Sequence, residues 1–113
     1  MKLVLIKSKR DYEKNRYNKR FFGRYLKINI NPNSKTLTPR FGFIIPKKIL
    51  PKVVDRNKIK RRIKYFLTQK ASQVLPFDMI FFVKPEIIKA KYSEIAQDIK
   101  EVFNKAQLWK PLK

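Results

Sequence analysis

The sequence predicts an α+β fold, with helices packed on a small sheet, as a single domain over residues 1–113. Residues 23–30 and 38–46 alternate between apolar and polar side chains, which is typical of half-buried strands. Residues 55–67 and 92–108 instead repeat their apolar side chains at helical spacing. The 113 residues, 43% of them hydrophobic and nine of them Phe, suit one domain around one core.

The first half of the chain predicts a short helix and two strands. Residues 8–18 are polar helix formers after Ser8, a candidate N-cap, while residues 1–6 leave open a short edge strand. Along 23–30, alternation separates a core side from an opposite side: Leu26, Ile28 and Ile30, against Tyr25, Lys27 and Asn29. A turn cluster at 31–36 follows, so we expect 23–30 and 38–46 to pair as an antiparallel hairpin.

The second half predicts helix, strand and helix. Pro51 suits the start of the helix 55–67 or the turn before it, and Asp55 is a further candidate cap. The apolar side of this helix carries Ile59, Ile63, Phe66 and Leu67. Residues 77–85 predict a strand buried on at least one side and ended by Pro85. Residues 92–108 predict an amphipathic helix that is capped by Ser93.

The charge balance predicts a polyanionic partner. Twenty-nine Lys and Arg against eight Asp and Glu give a net charge of +21, and self-repulsion at that level destabilises a compact chain. Nucleic acid and an anionic membrane surface are the candidates. The apolar runs at 3–6 and 79–83 are too short for a signal peptide or a membrane span, so we expect a soluble cytoplasmic protein.

The composition makes a self-sufficient hydrolase unexpected. The chain has no His and no Cys, and its two glycines cannot build a P-loop. Its carboxylates are scattered; the best pair, Asp78 and Glu86, flanks one strand at opposite ends. We therefore assign no catalytic residue and no metal ligand on this chain, and we expect no small-molecule substrate.

The helix 55–67 is the strongest candidate for binding phosphates. Six of the nine residues from Arg56 to Lys64 are basic, and no acid follows Asp55 within this helix. A merely solvated face usually alternates its charges, whereas Arg side chains match phosphate oxygens bidentately. The candidate residues are Arg56, Asn57, Lys58, Lys60, Arg61, Arg62 and Lys64. Because Arg61 and Arg62 lie off the apolar side, we expect charge reversal there to leave folding intact.

A second candidate surface combines aromatic and cationic side chains. The first helix and the outward side of the strand 23–30 contribute Tyr12, Arg16, Tyr17, Arg20, Tyr25, Lys27 and Asn29. Such interleaving suits single-stranded nucleic acid, whose bases stack while its phosphates meet charge. Alternatively, Tyr12 and Tyr17 only hold a thin helix on the sheet, and the sequence leaves both interpretations open.

The run "RFGFIIPKKILPKVVDRNKIKRRIKYFL" resembles the signature of the bacterial ribonuclease P protein component. The matching positions are Arg40, Gly42, Lys47, Lys48, Arg56, Asn57, Lys58, Ile59, Lys60, Arg61 and Arg62. "KRDYEK" resembles the first helix of that family, "DMIFFVKPE" a later strand and "YSEIAQDIKEVFNKAQL" its last helix. In this chain Lys58 replaces the second Arg of the family's Arg-Asn-Arg triplet.

The resemblance implies a small mixed sheet flanked by helices, with a left-handed β-α-β crossover like that of the second domain of ribosomal protein S5. It also implies a protein that binds a catalytic RNA subunit and the 5′ leader of precursor tRNA, with Mg²⁺ held mainly by the RNA and Asn57 as the one protein neighbour. The basic helix would then face the RNA subunit. The leader would meet Tyr12, Arg16, Tyr25, Lys27, Arg40, Lys47 and Lys48.

Other functions remain open on the sequence alone. A ribosomal or other structural RNA-binding protein has the same size and charge and differs only in motif order. A membrane-surface protein would need the apolar side of the basic helix for lipid.

Overall fold

The fold is a five-stranded mixed sheet between one short helix and two longer ones. The computed structural model describes residues 3–14, 19–32 and 36–111. The elements in chain order are β1 (Val4–Leu5), α1 (Lys9–Lys14), β2 (Lys19–Phe22), β3 (Leu26–Asn31), β4 (Arg40–Ile44), α2 (Val53–Lys70), β5 (Asp78–Val83) and α3 (Tyr92–Lys105). Short 3-10 helices follow α2 and β5, at Ala71–Gln73 and Pro85–Lys89.

The predicted hairpin between β3 and β4 is wrong. The strand order is β1-β4-β5-β3-β2, so β5 separates the two strands and pairs with both of them. Five of the six residues of β5 are buried, and an almost wholly apolar strand is stabilised most where a neighbour lies on each side. The turn cluster after β3 therefore reports a change of direction, but it does not report the pairing partner.

The β4–α2–β5 unit forms the parallel part of the sheet. Arg40 aligns with Asp78 and Ile44 with Phe82 in parallel register, whereas β3 runs antiparallel to β5. The predicted fold class, a mixed sheet flanked by helices, is thereby confirmed. The hand of the crossover stays an expectation from the family resemblance.

One face of the sheet builds the main core with α2 and α3. Phe43, Phe81 and Ile28 lie side by side in register on this face. The two helices cover it with their buried residues, which are Ile59, Ile63, Phe66 and Leu67 of α2 and Ile95, Ile99, Val102 and Phe103 of α3. The ring of Phe103 joins the layers, because its centroid lies 6.4 Å from those of both Phe66 and Phe81.

The opposite face carries the alternate residues of the same strands. Gly42, Ile80, Asn29 and Arg20 lie in one row across β4, β5, β3 and β2. Because Tyr12 of α1 approaches Gly42 on this side, α1 forms a thin third layer. We call this the α1 face of the sheet.

Two edge strands complete the sheet. β1 pairs parallel to β4, which answers the question left open by the sequence, and β2 pairs antiparallel to β3. The sequence did not predict β2, because its residues, "KRFF", show no clear alternation. The part of the predicted first helix at 15–18 lies outside the described residues.

Candidate nucleic-acid interface

The basic helix has the two sides that its sequence predicts. The four residues of its predicted apolar side are buried against the sheet, while Asn57 and Arg61 are exposed and the other candidate binding residues are partly exposed. No acid follows Asp55 within α2, so the outward side of this helix carries only positive charge. Arg61 lies at the centre of that side, because its position in the helix is opposite the buried residues. We call the outward side of α2 the cationic stripe.

Two arginines of this helix also hold the fold together. The Nη1 of Arg56 donates hydrogen bonds to the carbonyl oxygens of Leu50 and Pro51, at 2.8 and 2.9 Å. The Nη1 of Arg62 donates to the carbonyl oxygen of Ala90 at 3.1 Å. The sequence did not indicate this contact of Arg62, because distance from the apolar side does not show whether a side chain reaches a backbone carbonyl, and the effect of charge reversal on folding stays a prediction. Arg61 has no hydrogen bond of this kind among the described residues.

Tyr12 is fastened to the sheet by its hydroxyl group. Its oxygen accepts a hydrogen bond from the backbone N–H of Phe43 at 3.1 Å. A Cβ on Gly42 would lie 2.8 Å from both Cε1 and the hydroxyl oxygen of Tyr12, a distance that would displace the ring. Gly42 therefore permits this contact, and Tyr12 holds α1 on the sheet while keeping part of its surface in solvent.

Tyr12 also lines an open cleft between α1 and the end of β4. The cleft has a volume of about 600 Å³, and its walls are Lys7, Lys9, Tyr12 and residues 43–46. Lys47 and Lys48 follow directly in an exposed turn before α2. Cations thus surround an aromatic and apolar floor.

Arg40 lies on the α1 face, as predicted, but its guanidinium is already engaged. Its Nε and Nη2 donate to the two carboxylate oxygens of Asp78 at 2.8 and 2.6 Å. The side chain of Asp78 is only 3% exposed and that of Arg40 is 26% exposed. This bidentate pair fixes Arg40 in the floor of the face instead of leaving it to swing toward a ligand.

Lys27 and Asn29 complete the polar part of the α1 face. The Nζ of Lys27 lies 4.1 Å from the centroid of the Phe82 ring, and partial burial, together with the nearby charge of Arg20, lowers the pKa of Lys27 below its usual value. Asn29 is 5% exposed, and its Oδ1 has no hydrogen-bond partner in the part of the chain that the structure describes. A buried acceptor of this kind is costly.

Tyr25 does not lie on this face, so the side of the sheet that the alternation predicted for it is wrong. It is 8% exposed and belongs to the main core, because β3 begins only at Leu26 and the alternation of a strand does not extend beyond its end. The carboxylate of Asp98 accepts the backbone N–H groups of Arg24 and Tyr25 at 2.7 and 2.8 Å. The Tyr25 hydroxyl donates to Glu94 at 3.3 Å. Arg16, the other predicted leader residue of this region, lies outside the described residues.

The outward side of α2 also carries an aromatic residue that was not predicted from the sequence. Tyr65 lies on the cationic stripe one turn after Arg61 and is 57% exposed. The signal in the sequence was its spacing of four residues from Arg61, which places both on one side of a helix.

A cationic stripe on one helix and a cation-rimmed cleft on the α1 face define a basic nucleic-acid-binding protein. In the described ranges, no three His, Cys, Asp or Glu side chains are arranged to hold a metal ion. None of the described helices is long and apolar enough to cross a bilayer.

Comparison with known proteins identifies the family within this class. The family model Ribonuclease P matches residues 2–107, so the chain belongs to the family of ribonuclease P protein components, subunits of the ribonucleoprotein endoribonuclease ribonuclease P. The ribonuclease P protein component of Pseudanabaena sp. is 30% identical over 90 residues, which are 79% of this chain and 78% of that protein. That of Thermus brockianus is 31% identical over 107 residues, 95% of this chain but 62% of that longer protein.

Solved structures show the same fold. The Staphylococcus aureus RNase P protein superposes with a TM-score of 0.85 at 23% identity, over 96% of this chain and 100% of the other. The Thermotoga maritima RNase P protein gives 0.76 at 17% identity, over 88% and 94%.

Proposed function

We propose that this chain binds the RNA subunit of ribonuclease P through α2 and the 5′ leader of precursor tRNA through the α1 face, and that it does so in the cytoplasm. The observation that carries the proposal is the presence of two basic surfaces on opposite sides of the sheet. The cationic stripe meets solvent on the helix side of the sheet, while the cleft at Tyr12 opens on the other.

In this proposal the RNA subunit breaks the phosphodiester bond, and the protein positions and screens two polyanions. Arg61 and Lys58 meet phosphates of the RNA subunit, since cations on a helix neutralise backbone charge without reading bases. Tyr12, Lys27 and the exposed Lys47 and Lys48 meet the single-stranded leader. Arg40 keeps the floor of the α1 face in place through its ion pair with Asp78.

Magnesium ions are proposed to be held mainly by the RNA. Mg²⁺ prefers oxygen ligands and retains much of its water, and the exposed amide oxygen of Asn57 on α2 can accept a hydrogen bond from such a water. Such an amide suits a hydrogen bond to a hydrated ion better than a direct coordination cage.

A cleavage assay tests the proposal. Precursor tRNA is incubated with a bacterial ribonuclease P RNA at low Mg²⁺, with and without the protein. We expect the protein to increase the cleavage rate, because it screens the repulsion that high Mg²⁺ would otherwise screen. RNA binding without any increase in cleavage would instead indicate a structural RNA-binding protein.

The leader assignment has its own test at Tyr12. We expect Tyr12→Ala to weaken binding of precursor tRNA about tenfold, the effect of one lost stacking contact, while binding of mature tRNA by the holoenzyme is unchanged. Equal losses for the two RNAs would reject the assignment. Tyr12→Phe is the matched control, since it keeps the ring and removes only the hydrogen bond to Phe43.

A further inference from the structure

Tyr65 is an aromatic side chain held in a fixed position on the cationic stripe. Its ring meets that of Tyr92 edge-on, with centroids 5.5 Å apart and planes at 68°. Tyr92 is itself partly buried at the start of α3, and this burial raises the pKa of its hydroxyl group. More than half of Tyr65 remains in solvent, because only one side of it is supported.

The segment that leads to Tyr92 is also hydrogen-bonded to α2. The hydrogen bond from Arg62 to the Ala90 carbonyl joins the helix to the segment that leads into α3. Two exposed cations, Lys89 and Lys91, flank that carbonyl in the sequence. The ring of Tyr65 thus follows Arg61 by one turn on α2 and contacts Tyr92, which Lys91 directly precedes in the sequence.

A packing role alone does not explain this arrangement. A ring that served only to pack on Tyr92 would be expected to bury most of its surface, and the surrounding cations repel one another unless an anion lies between them. A nucleic acid supplies both missing parts. Its phosphates neutralise the cations, and every base has a π-face that can stack on an aromatic ring.

We propose that Tyr65 is a stacking platform for an unpaired base of the RNA that α2 binds, with Lys89 and Lys91 contacting the phosphates beside that base. This inference rests on the proposed function and extends the RNA-binding surface beyond α2 to the segment before α3. It adds contact with a base to a surface that otherwise meets only phosphates.

The test measures binding to a bacterial ribonuclease P RNA at several KCl concentrations. We expect Tyr65→Leu to lower the affinity roughly tenfold with an unchanged salt slope, because stacking releases no counterion. Tyr65→Phe keeps the π-face and should bind like the unaltered protein. Lys89→Gln with Lys91→Gln should reduce the slope by roughly 1.5, from the loss of two phosphate contacts.

One control variant, together with the unaltered protein, separates this inference from the proposed function. Arg61→Ala tests the phosphate contact of α2 alone. If Arg61→Ala weakens binding but Tyr65→Leu does not, the stacking inference is overturned and the proposed function stands. If the unaltered protein does not bind the RNA, both are overturned.

A second measurement does not depend on any variant folding correctly. Ultraviolet irradiation of the unaltered complex, followed by digestion with trypsin, should leave a nucleotide attached to the peptide 65–70. A complex that crosslinks through other peptides but never through this one would overturn the inference.

Discussion

Single residues on the α1 face show how a charged side chain can serve the fold and the site at once. Asp78 is buried and is neutralised by the guanidinium of Arg40. The alternation of β4 places Arg40 on the same side as Gly42. Its engagement with Asp78 could not be predicted, because the two residues become neighbours only when β4 and β5 pair.

We predict that Arg40→Met destabilises the protein by about 3 kcal/mol, because it leaves a buried carboxylate without its guanidinium. Chemical denaturation of the RNA-free protein measures this change. Replacing both partners, as Arg40→Met with Asp78→Asn, should recover much of the loss. An unaltered denaturation midpoint for the single variant would show that the pair contributes only orientation.

Tyr12 and Tyr25 show what residue patterns can and cannot predict about the position of a side chain in this protein. Tyr12 was predicted either to bind nucleic acid or to hold α1 on the sheet. The structure shows the second role, through its contacts with Gly42 and Phe43, and the first stays a prediction. Tyr25 was misplaced because it precedes β3, and its backbone N–H donates to Asp98, a residue far along the chain.

Among the elements, α2 was predicted best. Its apolar spacing is regular from Ile59 to Leu67, so the buried set of Ile59, Ile63, Phe66 and Leu67 follows directly from the sequence. What the sequence did not show is that two of its arginines reach backbone carbonyls of neighbouring segments.

Arg62 and Arg61 form a matched pair of neighbours for testing this difference. We predict that Arg62→Ala lowers the free energy of unfolding by about 1–2 kcal/mol, through loss of the charged hydrogen bond to Ala90. Arg61→Ala should change it by less than about 0.5 kcal/mol, as for an exposed residue. Thermal unfolding of the two RNA-free variants measures the contrast. Equal stabilities would mean that the Ala90 contact contributes nothing measurable.

At the scale of the whole molecule, the net charge of +21 opposes folding and favours binding. Raising KCl from about 10 mM to about 150 mM shortens the screening length from roughly 30 Å to roughly 8 Å. We therefore predict that the melting temperature of the RNA-free protein rises by about 4 °C, which corresponds to roughly 1 kcal/mol for a domain of this size. RNA affinity should fall over the same range.

Sucrose, which is uncharged, is the control for effects of added solute other than screening. A melting temperature that falls with KCl would show that attractive ion pairs, such as Arg40 with Asp78, outweigh the repulsion. Opposite salt responses of stability and RNA affinity would instead tie both to the same excess of positive charge.

The overall fold class was predictable, but the order of the strands was not. Local patterns show where a strand or helix lies, and the pairing of β5 with both β3 and β4 depends on which arrangement buries "DMIFFV" best. The family resemblance supplied the parallel strands, which composition and periodicity could not have shown.

The central position of β5 has a mechanical consequence. Consecutive residues of this one strand face opposite layers: Phe81 belongs to the core under α2, and Ile80 lies beside Gly42 on the α1 face. A tightly packed strand of this kind does not stretch. It therefore keeps a ligand on the outward side of α2 and a ligand in the cleft at Tyr12 a constant distance apart.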